Sequence, residues 1–131
     1  MTSPHTLSKQ ERLCGMKLTD RLFNGAGSQS MAAFPLRVVW MEIERETQAP
    51  PVQILVSVSK RHFKHAVKRN RVKRQLREAY RSAKQPLFEK LEETPQRAVA
   101  MAVIWLSNDL YPSSKVAECM RILIQRLVEK L

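Results

Sequence analysis

Eleven lysines and arginines fall at positions 60–84 (KRHFKHAVKRNRVKRQLREAYRSAK), against one acid, Glu78. The other twelve basic residues are matched by eleven acids spread over the rest of the chain. An otherwise nearly neutral protein thus carries one concentrated cationic element. Such a field attracts a dense polyanion, with RNA or DNA the first candidates. Arginine's planar fork makes paired hydrogen bonds to phosphate oxygens and stacks on bases. Asn70, set among these cations, is a neutral donor and acceptor suited to a 2′-hydroxyl or a base edge.

Other chemistry is thinly represented. Asp20 and Asp109 are the only aspartates, and none of His5, His62 and His65 has a carboxylate partner close in sequence. Cys14 and Cys119 are too few and too far apart for a disulfide framework or a zinc knuckle, and the histidines form no ligand spacing with them. No catalytic residues and no metal ligands are assigned. No apolar run approaches the ~20 residues that span a bilayer. The start of the chain lacks the apolar core of a secretory signal. These features predict reduced thiols in a cytoplasmic protein that makes no use of a membrane.

The elements that must position the cations follow from periodicity. At 131 residues with 44% hydrophobic content, the chain is most simply a single domain over 1–131, with 1–7 flexible. Ser8 and Glu11 have a helix-start pattern. A short helix is predicted over 16–24, with Leu18, Leu22 and Phe23 as its apolar stripe and Gly25 as its cap. Residues 34–44 read as a strand, with a short strand near 30–33 before it. Residues 45–51 read as a turn. Residues 52–59 alternate, with Val52, Ile54, Val56 and Val58 on one face, and are expected to pair with 34–44 as an antiparallel hairpin. The basic element is a helix over 66–84 ended by Pro86. A short helix over 87–93 follows, and then an almost continuously apolar central strand over 97–106. A last helix opens near 111–114 with a serine cap and buries Val116, Met120, Leu123, Ile124, Leu127 and Leu131. The expected class is α+β: one small sheet of about four strands with helices packed on it. Trp40 and Trp105 are assigned to the core, and Lys9, Lys17, Arg121 and Arg126 to ordinary surface charge.

On a helix advancing about 100° per residue, Lys73, Arg74, Arg77 and Arg81 fall within about 60° of Asn70. Val72, Leu76, Ala79, Tyr80 and Ala83 take the other side. An ordinary solvated face mixes charge signs, whereas this one stacks like charges at a cost. A localisation-type basic run would not be interleaved with a core stripe. A membrane-surface helix needs bulkier apolar residues than Ala79 and Ala83. Polyanion binding is the reading left standing.

Read as a whole, VSVSKRHFKHAVKRNRVKRQLREAYR resembles the signature of the bacterial ribonuclease P protein component. The residues that carry the resemblance are Ser57-Val58-Ser59-Lys60, Arg69-Asn70-Arg71, Lys73-Arg74, Arg77 and Tyr80. Glu11-Arg12-Leu13, Asp20-Arg21-Leu22-Phe23 and Gly25 extend it towards the start of the chain. Two departures stand out. Thr19 occupies a place where the family often has an aromatic. The linker Arg61-His62-Phe63-Lys64-His65 is one residue longer than usual and has no glycine.

The resemblance implies a fold like the second domain of ribosomal protein S5 (ribosomal-protein-S5 second-domain-like), with a left-handed strand–helix–strand crossover. General chain geometry alone would suggest a right-handed one. It implies an accessory subunit of an endoribonuclease whose catalyst is a large RNA. That ribonucleoprotein removes the 5′ leader of precursor tRNA with Mg2+, which is held with the RNA subunit and not tightly by the protein. The implied partners are the catalytic ribonuclease P RNA and precursor tRNA, with no obligate protein partner. The implied RNA-binding residues are Lys60, Arg61, Lys64, Lys68, Arg69, Asn70, Arg71, Lys73, Arg74, Arg77 and Arg81. The implied leader cleft lies between the first helix and one sheet face, with candidates Arg12, Phe23, Phe34, Leu36 and Val38 and with Lys60 and Arg61 at its rim; Phe23, Leu36 and Val38 equally suit the core. An apolar floor beneath a basic rim suits single-stranded RNA, because stacking tolerates any base. Two alternatives have other destinations for the same charge: a non-enzymatic RNA-binding module such as a ribosomal or RNA-assembly protein, and a DNA-binding regulator, although the flanking strands make no helix-turn-helix.

Overall fold

The computed structural model describes residues 22–23, 27–45 and 50–131. Positions 1–7, the Ser8–Glu11 pattern, Arg12, Cys14, Thr19, Gly25 and most of the helix expected over 16–24 lie outside the described residues. Leu22 and Phe23 are described and are helical. Seven elements follow in the order β1 (Gln29–Ala33), β2 (Leu36–Glu44), β3 (Val52–Ser57), α1 (Ala66–Ala83), α2 (Gln85–Glu92), β4 (Arg97–Trp105) and α3 (Ser113–Lys130).

The strands form one sheet in the order β1-β2-β4-β3. β1 and β2 are the antiparallel hairpin, with Ala33 opposite Leu36 across a turn at Phe34 and Pro35. Gly27 leads into β1 at φ 110°, a conformation that L side chains rarely adopt. The hairpin expected between 34–44 and 52–59 does not form. β4 lies between them, antiparallel to β2 and parallel to β3. The reason is burial. All of β4 after Arg97 is buried except half-buried Ile104, so it takes a central position with both faces covered. β3 is an edge strand whose alternate residues Gln53, Leu55 and Ser57 are only half-buried. At the start of β4, Arg45 N–H donates to Gln96 O (2.9 Å) and Val99 N–H to Pro51 O (2.9 Å). The parallel pairing requires a crossover, and α1 and α2 supply it.

The helices cover one face of the sheet. Leu36, Val38 and Trp40 of β2, Ile54 and Val56 of β3, and Met101, Val103 and Trp105 of β4 form the core there with Leu76 and Tyr80 of α1. α3 adds Val116, Met120, Leu123, Ile124 and Leu127, all fully or almost fully buried, while Leu131 is only half-buried. On the opposite face, Val39, Met41, Ala100 and Ala102 pack with Leu22. The serine cap expected for α3 is absent: Pro112 is the N-cap, no side chain caps the helix, and Ser113 Oγ instead accepts from Gln75 Nε2 (3.1 Å). Pro86 stands in the first turn of α2, where its missing N–H costs nothing.

Candidate RNA interface

α1 stands on its apolar face. Val72, Leu76, Ala79 and Tyr80 are buried and Ala83 half-buried, which turns the charged side outward. Asn70, Arg71 and Arg74 are exposed, and so are Lys60, Arg61, Lys64 and Lys68 in the approach to the helix and its first turn. Lys73, Arg77 and Arg81 are half-buried. The sole acid of the helix, Glu78, pairs with Arg81 at 2.6 Å, so the charge of Arg81 is partly compensated. The ridge is strongest at its N-terminal half.

Arg69 departs from the sequence-based expectation. Its Nη1 donates to Phe63 O at 2.9 Å and to Lys64 O at 2.8 Å. The guanidinium therefore clamps the linker before α1 instead of standing free on the ridge. Placed some 100° from Asn70 on the wheel, Arg69 already lies at the edge of the face. The clamp is one of four devices that hold the glycine-free linker. Phe63 is buried in the core. His62 Nδ1 hydrogen-bonds Asn108 Oδ1 at 2.7 Å, tying the linker to the loop after β4. The backbone N–H groups of His62 and Phe63 both turn back onto Ser59 O, at 3.1 and 3.3 Å. Lys60, Arg61 and Lys64 are thus exposed cations on a fixed loop.

The sheet face that carries Leu22 and Phe23 bears a cavity. It has a volume of about 310 Å3 and is bounded by Leu22, Phe23, Gln29, Arg37, Val39 and Ile104, among others. Phe23 belongs to it and is 44% exposed. Leu36 and Val38 do not: both are buried in the core on the helix side. Strand alternation explains the correction. Leu36 and Val38 share the parity of Trp40, which is also core, so the residues that face the cleft are Arg37 and Val39. Phe34 does not line the cleft either. It sits in the β1–β2 turn with its ring edge-on to Tyr111, centroids 6.3 Å apart. Arg37, Val39 and Ile104 are the lining residues the sequence reading missed, and the alternation of β2 is the signal that locates the first two.

No three of His, Cys, Asp and Glu converge as a possible metal site among the described residues. Among the same residues, no helix is long and apolar enough to cross a membrane.

Residues 7–127 match the family model described as Ribonuclease P. The chain is 41% identical over 120 residues to the ribonuclease P protein component of one Porphyromonas gingivalis strain, covering 90% of this chain and 84% of that protein. A shorter stretch of 48 residues is 52% identical to the ribonuclease P protein component of Chlorobium phaeobacteroides, covering 37% of this chain and 33% of that protein. The fold is similar to that of the Staphylococcus aureus RNase P protein, with a TM-score of 0.61, 18% identity, and coverage of 89% of this chain and 94% of that one. These matches do not favour a ribosomal or assembly module. The chain belongs to the ribonuclease P protein family: it is a protein subunit of ribonuclease P, acts in tRNA processing, and has the ribonuclease P RNA as its partner.

Proposed function

We propose that the two faces of the protein divide the work of the holoenzyme. The α1 ridge, with Asn70, Arg71, Lys73, Arg74 and Arg77 at its centre and Lys60, Arg61, Lys64 and Lys68 beside it, docks the catalytic RNA. The cleft on the opposite sheet face takes the single-stranded 5′ leader of precursor tRNA. Its floor is Phe23, Val39 and Ile104, and Arg37 meets a leader phosphate. The observation that carries this reading is the separation of an exposed, nearly acid-free ridge from a cleft of mixed polar and apolar lining, with one arginine among its described residues, on opposite sides of the same sheet. A phosphate-dense folded RNA suits the first and an unpaired strand the second.

In this reading the RNA performs the cleavage and holds the magnesium ions, and the protein alone is inactive. The protein neutralises phosphate repulsion and grips the leader, in the cytoplasm. The test compares the affinity of precursor and mature tRNA for the RNA with and without the protein. A larger gain for the precursor is expected. Equal gains for both would sink the leader cleft.

A further inference from the structure

Phe34 is 60% exposed, yet its position is fixed. Its carbonyl accepts from Cys119 Sγ at 3.5 Å, and the neighbouring Pro35 carbonyl accepts from Leu106 N–H at 2.8 Å. Its ring meets Tyr111 edge-on, and Tyr111 meets the fully buried Trp105 edge-on with centroids 5.7 Å apart. An exposed ring is therefore braced by an aromatic series rooted in the core. Such a ring keeps its apolar face in water with little conformational freedom to lose on binding.

The surface runs from this ring to the cationic ridge. Gln75 of α1 donates from Nε2 to Tyr111 O at 3.0 Å and to Ser113 Oγ at 3.1 Å. Ser113 and Arg74 line the same groove between α1 and α3, about 290 Å3 in volume. Glu78 also lines it, with its carboxylate turned onto Arg81 at 2.6 Å. Lys115, exposed in the first turn of α3, adds a further cation close by. A polyanion lying on Arg71 and Arg74 thus has, two residues from Ser113, an aromatic step onto which a base can turn.

We propose that Phe34, braced by Tyr111, is a stacking platform for one unpaired base of the RNA that docks on α1, with Arg74 holding an adjoining phosphate. The proposal rests on the reading of α1 as the RNA-docking ridge. It removes Phe34 from the leader cleft and gives it a role on the other face. Stacking on an aromatic ring accepts any base, so the platform adds affinity and fixes register without demanding a sequence.

The test uses the full chain and its host's ribonuclease P RNA, with Phe34→Ala, Phe34→Leu and Phe34→Trp measured over a salt series. The Ala and Leu variants are expected to bind the RNA on the order of tenfold more weakly. Their log–log salt slope stays unchanged, because no phosphate contact is lost. The Trp variant keeps wild-type affinity, and all three melt as wild type. Unchanged binding by Phe34→Ala, or a Leu variant that binds as well as Trp, overturns stacking. So does a loss confined to precursor tRNA, or one that appears as lost self-association in sedimentation. Arg74→Ala run in parallel separates the two claims. If its salt slope falls while Phe34→Ala binds normally, only the platform fails. If its slope is unchanged, the ridge itself is wrong.

Discussion

The α1 ridge and the cleft beneath Leu22 are both open to solvent and both cationic, but they are built by opposite means. The ridge sets arginines and lysines side by side and accepts their mutual repulsion, which a phosphate-rich partner relieves. The cleft, among the described residues, sets a single exposed Arg37 beside Phe23, Val39 and Ile104, with Ser28, Gln29 and Ser30 as its polar part. In the proposed division of labour, charge density marks where the protein meets its RNA partner. Sparse charge beside partly apolar surface marks where a flexible strand would be gripped. Arg69 and Arg74 repeat the lesson within one helix: both are arginines of the basic run, yet one is committed to carbonyls of its own chain and the other is free to meet phosphate.

The contrast can be broken at several points. The largest effect is expected from Leu76→Ala, which removes the fully buried leucine on which α1 stands. Chemical denaturation should show a loss of about 2–5 kcal/mol, and a negligible loss would mean that the ridge is not backed by this core. Arg69→Ala comes next. Losing a charged donor to two carbonyls should lower stability by about 1–3 kcal/mol, and the salt slope of RNA binding should change less than with Arg74→Ala. The reverse pattern would return Arg69 to the ridge. Arg71→Ala and Arg74→Ala should leave stability nearly unchanged. Each should flatten the log–log salt dependence of RNA binding by about 0.7–0.9 per lost phosphate contact. The smallest effect belongs to Arg37→Ala: about 0.7 off the salt slope of precursor binding by the holoenzyme, with mature tRNA unaffected.

Much of this molecule is legible in its sequence, and the boundary follows the range of the interactions. α1, β4 and α3 are set by local periodicity, so their spans and the buried stripe Val116, Met120, Leu123, Ile124 and Leu127 can be read directly. Strand order is a long-range choice. The turn residues between β2 and β3 suit a hairpin, yet the deeper burial of β4 places it between them. The ridge was legible because a helix wheel needs only spacing. Arg69 was not, because its partners are carbonyls of a linker whose path depends on Phe63 entering the core. The cleft was half legible: Phe23 lines it, while Leu36 and Val38 point the other way, as their shared parity with Trp40 already indicates. The serine expected to cap α3 hydrogen-bonds Gln75 of α1 instead, a contact between helices that no local pattern records.

The division of labour between the two faces is tested most directly by a crossed measurement on Arg74→Ala and Arg37→Ala. Each variant is assayed for affinity to the ribonuclease P RNA, and each holoenzyme for its preference for precursor over mature tRNA. The account predicts that Arg74→Ala weakens RNA binding while the assembled enzyme keeps its precursor preference. It predicts that Arg37→Ala binds the RNA normally and loses part of that preference. Both variants moving both quantities together would contradict it.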